Sequence, residues 1–254
     1  MSLLDDINNK FMVQEVVNGK LLEKVRNLLI LNDLSTSNLD ENVNDLIVSK
    51  TTDMGVIGHY KKDRNKLVYS DDSSYIHELF HVASSNRKKP FNSGIRLNSK
   101  DEDKLIGMDE GITDYLTVLC GYEPNDCGLL RLCVELLVLT NGIEVLKPYC
   151  ENDGIAFYKQ FPTTFLNLAL ALDKYYYCFM ELANFRGAML SEKYSSLQNK
   201  MEKNLTQTLT LMINFFERKK SDSRQYIMEK INSGYLNKEL SFLGVESINK
   251  IYPK

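Results

Sequence analysis

Apolar residues recur along most of the chain at steps of three and four, the spacing that places them on one face of an α-helix. The pattern is clearest in the second half, which is rich in leucine, alanine, methionine and tyrosine. Stripes of this kind are typical of helices that face a core. They predict helices over residues 2–31 with Gly19 as a candidate break, 39–48, 129–139, 165–190, 197–216 and 222–232, and a last helical turn near 245–252.

One segment before residue 70 departs from this periodicity. Residues 56–60 and 66–69 are short β-prone runs, and the polar residues 61–65 between them predict a hairpin. The mostly polar residues 86–106 are either a solvated connection or the rim of a cleft. The chain is therefore predicted to be α+β and predominantly α-helical, with a small β-sheet.

Residues 77–81, which follow the hairpin, have the sequence HELFH. On a helix, His77 and His81 lie on one face about 6 Å apart, so both imidazoles can face one metal ion. Catalytic zinc binds His nitrogens and keeps one position open. Glu78 stands next to the first histidine, where it could act on a water molecule. The alternative is a chance match, because this pattern is short and occurs on surface helices.

A second pair of candidates lies about 30 residues further on. Glu110 and Asp114 are again four apart on a predicted helix, in the sequence EGITD. A carboxylate often completes a site with two histidines, and a second one can accept the outer N–H of a ligating histidine. Alternatively, Glu110 is a first-turn acid favoured by the helix dipole, and Asp114 is a solvated surface residue.

The combination of HELFH and EGITD resembles the gluzincin metallopeptidases, the thermolysin-like clan, whose pattern is HExxH followed by ExxxD. The resemblance covers only about 45 residues, the span of the two motifs. It implies one Zn²⁺ per chain, held by His77, His81 and Glu110. It also implies that Glu78 is the catalytic general base and that Asp114 is the outer partner of a ligating histidine.

The same resemblance implies a fold and an activity. The fold would be zincin-like, with a small β-sheet next to the active-site helix, an edge strand that binds extended substrate, and a helical lower subdomain. Three segments are expected: a helical N-terminal segment, 1–50; a core with the hairpin and both motif helices, 51–121; and a helical C-terminal subdomain, 122–254. The activity would be hydrolysis of peptide bonds in a peptide or protein substrate. The absence of a motif that reads a substrate N-terminus favours an endopeptidase.

The sequence leaves the remaining site residues open. All three histidines, at positions 59, 77 and 81, precede EGITD, so an oxyanion donor after it is not a histidine. The tyrosines offer several unassigned candidates, although each by itself is more typical of a core or interface aromatic: Tyr149, Tyr158, Tyr175, Tyr176 and Tyr177. His59, in the hairpin, either faces the cleft or is a structural residue. A non-catalytic interaction protein on a zincin scaffold is the alternative function.

Composition and charge bear on the partners of the protein, the state of its cysteines and its cellular location. The net charge of −3 over 254 residues does not favour a nucleic-acid surface. The five cysteines lack the spacing of a zinc knuckle, and their odd number favours reduced, buried thiols. Acids at positions 5 and 6 are unlike a signal peptide, and no apolar stretch is long enough to span a membrane. A cytoplasmic location without a membrane partner is therefore expected, and the oligomeric state is left open.

Overall fold

The computed structural model describes residues 12–52, 58–89, 94–98, 103–123, 127–185 and 191–241, and the statements below concern these residues. Helices dominate this part of the chain: α1 Gly19–Leu31, α2 Ser37–Asn42, α3 Asp72–Ala83, α4 Ile106–Leu119, α5 Gly128–Asn141, α6 Lys147–Cys150, α7 Gly154–Lys159, α8 Thr164–Ala183, α9 Glu192–Glu217, α10 Ser223–Asn232 and α11 Asn237–Ser241. The strands are β1 Met12–Glu15, β2 Ile47–Thr51, β3 Gly58–Lys61, β4 Lys66–Tyr69, β5 Leu97–Asn98 and β6 Asp103–Lys104.

Four strands form one small mixed sheet in the order β1-β2-β4-β3. β2 runs parallel to β4, whereas β1 and β3 are antiparallel to their neighbours. The predicted hairpin is present as β3 and β4, with His59 opposite Val68. Asn65 lies between these strands with φ of 45°, a left-handed conformation that asparagine tolerates well. The predicted class, a predominantly helical α+β fold, is confirmed.

The chain divides into two compact units. The first comprises residues 1–95, 113–126 and 146–157, and the second comprises residues 96–112, 127–145 and 158–254. The division falls within α4 and differs from the three predicted segments, which stay a prediction.

In the first unit, the central strand β4 and the helix α3 provide the core. Leu67 and Val68 of β4 are fully buried, and α3 packs against this strand and against α1 and α2. Asn42 fixes the end of α3, because its side-chain amide donates to the carbonyls of Val82 and Ser85. The helix therefore has partners on several sides and a defined end.

In the second unit, the long helices α8 and α9 pack along one another. Phe165 and Phe179 of α8 and Phe216 of α9 are buried, as the apolar stripes predicted. α8 ends at Ala183 with Asn184 as its C-cap, so the predicted helix 165–190 extends too far. Residues 186–190 of that prediction lie outside the described residues. The predicted turn near 245–252 also lies outside them.

Two helical predictions near the N-terminus are wrong in part, so the predicted helical segment 1–50 also contains strands. Residues 12–15 form β1, and the predicted helix 39–48 ends early because residues 47 and 48 belong to β2. These strands are stabilised by pairing with each other and with β4, which local periodicity does not reveal. Gly19 begins α1, where the Asn18 side chain accepts from the amides of residues 20 and 21.

None of the five cysteines, all of which are described, forms a disulfide. Burial raises the pKa of the Cys150 thiol to about 12, so this thiol behaves as a small apolar group. Among the helices of the described ranges, none combines the length and the apolar character that crossing a membrane requires.

Candidate metal centre

The helix α3, which carries HELFH, begins at a capping box built from neighbouring residues. The Asp71 carboxylate accepts from the amide of Ser74 at 2.8 Å, and the Ser74 hydroxyl accepts from the amide of Asp71 at 3.0 Å. This reciprocal pair satisfies two amides at the helix start. Every residue from 74 to 83 is buried. The helix is therefore fixed in both register and orientation.

The two histidines lie on one face of α3, as their spacing predicted. The ring centroids of His77 and His81 are 5.0 Å apart, and the rings are inclined at 72°. Both side chains are buried. Two imidazoles in this arrangement can offer nitrogens to one ion.

Asp114 lies against the first of these histidines. Its Oδ1 is 3.0 Å from Nδ1 of His77, and its side chain is only 1% exposed. A carboxylate at Nδ1 holds the proton there, which leaves Nε2 with its lone pair for a metal. The surface alternative for Asp114 is therefore wrong, since the residue is buried.

Glu110 completes the cluster. One ligand atom from each of His77, His81 and Glu110 lies within 4.8 Å of the other two, and all three residues are buried. Two imidazole nitrogens and one carboxylate oxygen at this separation could hold a metal ion. No other group of three or more potential ligands converges in this way among the described residues.

Glu78 is buried beside the first histidine, with the backbone of β3 against it. A Cβ on Gly58 would lie 3.0 Å from Oε1 of Glu78 and 3.2 Å from its Cγ. With any other residue at this position, the Glu78 side chain would have to shift by a few tenths of an ångström. The first residue of β3 therefore limits the space in which Glu78 can move.

The helix α4, which carries Glu110, is positioned by contacts from distant parts of the sequence. The Asp173 carboxylate on α8 accepts from the amides of Leu105 and Gly107, both at 2.9 Å. These amides belong to the start of the helix, where partners within the helix are lacking. Burial is the main cause that raises the pKa of Asp173, to about 6.

Two glycines bring α4 close to its neighbours in the second unit. A Cβ on Gly107 would lie 2.9 Å from the carbonyl of Leu172 in α8, and a Cβ on Gly111 would lie 2.7 Å from the carbonyl oxygen of Leu130 in α5. Real Cβ atoms do not come so close to backbone atoms. Glu110 therefore lies on a turn of helix whose position is set by backbone-to-backbone packing.

The sequence interpretation missed Arg96, Asp109 and Asp173. Arg96 Nε donates to Oδ2 of Asp109 at 2.8 Å, and its terminal nitrogen donates to Oε1 of Glu110 at 2.5 Å. Nothing in the polar stretch around residue 96 singles this arginine out. Asp173 carried a usable signal, since it is a single acid within an apolar helix stretch, and Gly107 and Gly111 carried another, since they are four apart around Glu110.

The structure separates the oxyanion candidates by exposure. Tyr149 is fully buried, with its hydroxyl 2.8 Å from that of Thr113, and Tyr175 is fully buried as well. Tyr158 and Tyr176 are half-buried, and Tyr177 is exposed.

His59 lies on β3 and is half-buried. Burial lowers its pKa, and the positive charges of Lys61 and Lys66 lower it further. His59 is therefore neutral at pH 7 and is outside the three-residue cluster.

Comparison of the chain with protein-family models, with curated proteins and with solved structures finds no match. The case for a function therefore depends on the geometry of this cluster and on the motifs that form it.

Proposed function

We propose that the protein is a zinc-dependent metallopeptidase of the gluzincin type. The observation that carries the proposal is the convergence of His77, His81 and Glu110, with Glu78 adjacent to the first histidine. These are the residues that HELFH and EGITD assign to ligands and base. The small sheet beside α3 agrees with a zincin-like arrangement.

The donor set suits zinc. Two imidazoles and one carboxylate make up a common catalytic zinc site, which keeps a further position open. The Asp114 carboxylate at Nδ1 of His77 supports the tautomer that a metal requires. When bound, zinc supplies Lewis acidity that polarises a carbonyl and makes a water molecule more acidic.

Glu78 is proposed as the general base. One of its carboxylate oxygens takes a proton from the attacking water and then gives it to the leaving amine nitrogen. Because α3 turns by about 100° per residue, Glu78 points away from the direction of His77 and does not compete as a ligand. A side chain on Gly58 would crowd this carboxylate, since its Cβ would lie 3.0 Å from Oε1.

The substrate is proposed to be an extended peptide or a protein segment. β3 lies at one end of the strand order in the sheet, and a Cβ on its first residue would lie 3.0 Å from Oε1 of Glu78. An extended chain can add to such a strand through main-chain hydrogen bonds. Recognition along the main chain suits cleavage within a chain, so an endopeptidase is favoured.

The decisive experiment compares the wild type with Glu78→Gln. The substitution keeps size and hydrogen bonding but removes the proton-accepting charge. Zinc content is expected to stay at about one ion per chain, the stoichiometry of a single catalytic site. Cleavage of a mixed peptide library is expected to fall by about 10²–10⁴-fold, as for other lost general bases. Metal analysis and mass spectrometry of the library provide the two measurements.

Glu239→Gln is the matched control, because Glu239 is another buried glutamate, outside the cluster, whose Oε1 accepts from the amide of Leu129. It should leave library cleavage near the wild-type rate. A zinc-loaded wild type that cuts no peptide would support the non-catalytic alternative. A wild type that binds no zinc after purification without chelators and resupply of the metal would refute the proposal.

A further inference from the structure

Arg96 places a guanidinium against two consecutive carboxylates of α4. Its Nε–H donates to Oδ2 of Asp109, and a terminal N–H donates to Oε1 of Glu110. The Arg96 side chain is 22% exposed and that of Asp109 is fully buried. An arginine presents several donors in a rigid plane, so it can hold both carboxylates in one geometry.

The charge of Arg96 is largely compensated within this group. A buried cation is costly unless it is paired and hydrogen-bonded. Desolvation by burial lowers the pKa of Arg96, but the carboxylates of Asp109 and Glu110 together outweigh it and raise the pKa above its ordinary value. Asp109 alone balances one positive charge, so the pair of Arg96 and Asp109 is close to neutral.

This near-neutrality determines what Arg96 can do to Glu110. An unpaired cation beside a metal ligand would repel a metal ion and weaken the site. A neutral pair exerts little repulsion, but its N–H still fixes the carboxylate through Oε1. A glutamate side chain has three rotatable bonds, and a ligand already held in place loses less freedom on binding a metal.

We infer that Arg96 is a positioning residue that holds the Glu110 carboxylate ready for the metal, while Asp109 neutralises its charge. The inference deepens the proposed function and rests on it, because it takes Glu110 to be a ligand. It gives separate roles to the two consecutive acids of α4: Glu110 binds the metal, and Asp109 compensates the arginine.

The test is the zinc affinity of Arg96→Met, measured by competition with a chromophoric chelator. Methionine keeps an unbranched apolar side chain but removes the donors. Zinc binding is expected to weaken by roughly 10–100-fold, the range observed when outer partners of metal ligands are lost. The visible spectrum of the Co²⁺-substituted protein should also change, because Glu110 would no longer be held in one orientation. The unfolding transition of the metal-free protein shows whether the variant folds.

Three further variants sharpen the result. Arg96→Lys keeps the charge but loses the planar fork, so it should recover zinc affinity only in part. Asp109→Asn keeps a hydrogen-bond acceptor for Arg96 but leaves the positive charge of the arginine uncompensated. This charge should repel the zinc ion and weaken its binding. Arg224→Met is the matched control in the same unit, because it removes an exposed ion pair with Glu217 and should not change zinc affinity.

Unchanged or tighter zinc binding in folded Arg96→Met would overturn the inference. If Arg96→Met does not fold, Arg96→Lys decides: wild-type affinity with a wild-type Co²⁺ spectrum would equally overturn it. Failure of the proposed function is recognised separately, because the wild type would then bind no zinc or cut no peptide. A wild type that does both, together with an unaffected Arg96→Met, would refute this inference alone.

Discussion

The helices that carry the two motifs are positioned in different ways. α3 starts at its own capping box, formed by Asp71 and Ser74, which are three residues apart. α4 instead starts after Leu105, which has a φ of 65°, and its first amides are bound by Asp173 from another helix. The start of α3 is thus encoded locally, and that of α4 depends on residues more than 60 positions away.

The difference shows how a candidate metal site can combine a local pattern with long-range support. His77 and His81 need only a well-formed helix to face the same way. Glu110 lies on a different helix, α4, which has glycines that permit close packing and a partner that holds its first turn. The comparison predicts that changes near α4 disturb the protein more than changes at the start of α3.

The largest effect is expected at Asp173, through pH. Its carboxyl has a pKa of about 6 when folded, against an ordinary 3.8, because burial disfavours the charged form. The folded protein therefore holds this proton more tightly, and stability falls as the pH rises from about 4 to 6. At about 1.4 kcal/mol per pKa unit, the free energy of unfolding should fall by about 3 kcal/mol over this pH range.

The measurement is urea unfolding of the metal-free wild type and Asp173→Asn across this pH range. The variant lacks the titrating group, so the stability of the wild type relative to the variant should fall as the pH rises. Metal-free protein is used because histidine protonation would otherwise couple metal release to the same range. A stability difference that does not vary with pH would contradict a raised pKa at Asp173.

A smaller effect on stability is expected from Gly111→Ala. The added Cβ would lie 2.7 Å from the carbonyl oxygen of Leu130, a backbone atom that cannot turn away. Overpacking of this kind costs about 1–3 kcal/mol, and the displacement of α4 should also weaken zinc binding at Glu110. Thermal unfolding and chelator competition report the two consequences.

Gly19→Ala is the matched control, because a Cβ there meets nothing within 4 Å and lies in the first turn of α1. It should be neutral or slightly stabilising, since alanine favours a helix over glycine. Equal destabilisation by the two substitutions would show that the packing at Gly111 is not the cause.

The smallest effect is expected from Asp71→Ala at the start of α3. Losing a side-chain cap costs about 1 kcal/mol, and zinc affinity should stay near that of the wild type because residues 74–83 are buried and hold the helix body. Chemical denaturation measures the loss. A large drop in zinc affinity would mean that the local cap, rather than the packing, positions the histidines.

Much of the candidate site could be predicted because its spacing is local. HELFH and EGITD each place two side chains one helical turn apart, and that relation depends only on helix geometry. The resemblance based on the same motifs also implied that Asp114 meets one of the two histidines, and its Oδ1 lies 3.0 Å from Nδ1 of His77. The hairpin was also predictable, because β-prone runs and a polar turn are adjacent in the sequence.

The strands β1 and β2 could not be predicted in the same way. Their residues belong to apolar patterns that also fit a helix, and their strand conformation is stabilised by pairing with each other and with β4. β2 pairs with two strands that are distant in the chain. β4 begins about 20 residues after β2, and β1 begins more than 30 residues before it. Strand propensity depends strongly on such neighbours.

By itself, the sequence determined that His77 and His81 share one helical face and that Glu110 and Asp114 share another, because spacing along a helix fixes which side chains lie on the same face. Only the tertiary structure decided that Arg96 contacts Glu110, that Asp173 holds the start of α4, and that Gly107 and Gly111 meet neighbouring backbones. These contacts join residues that have no regular spacing in the chain. Their energies come from burial and close packing, which exist only once distant segments have come together.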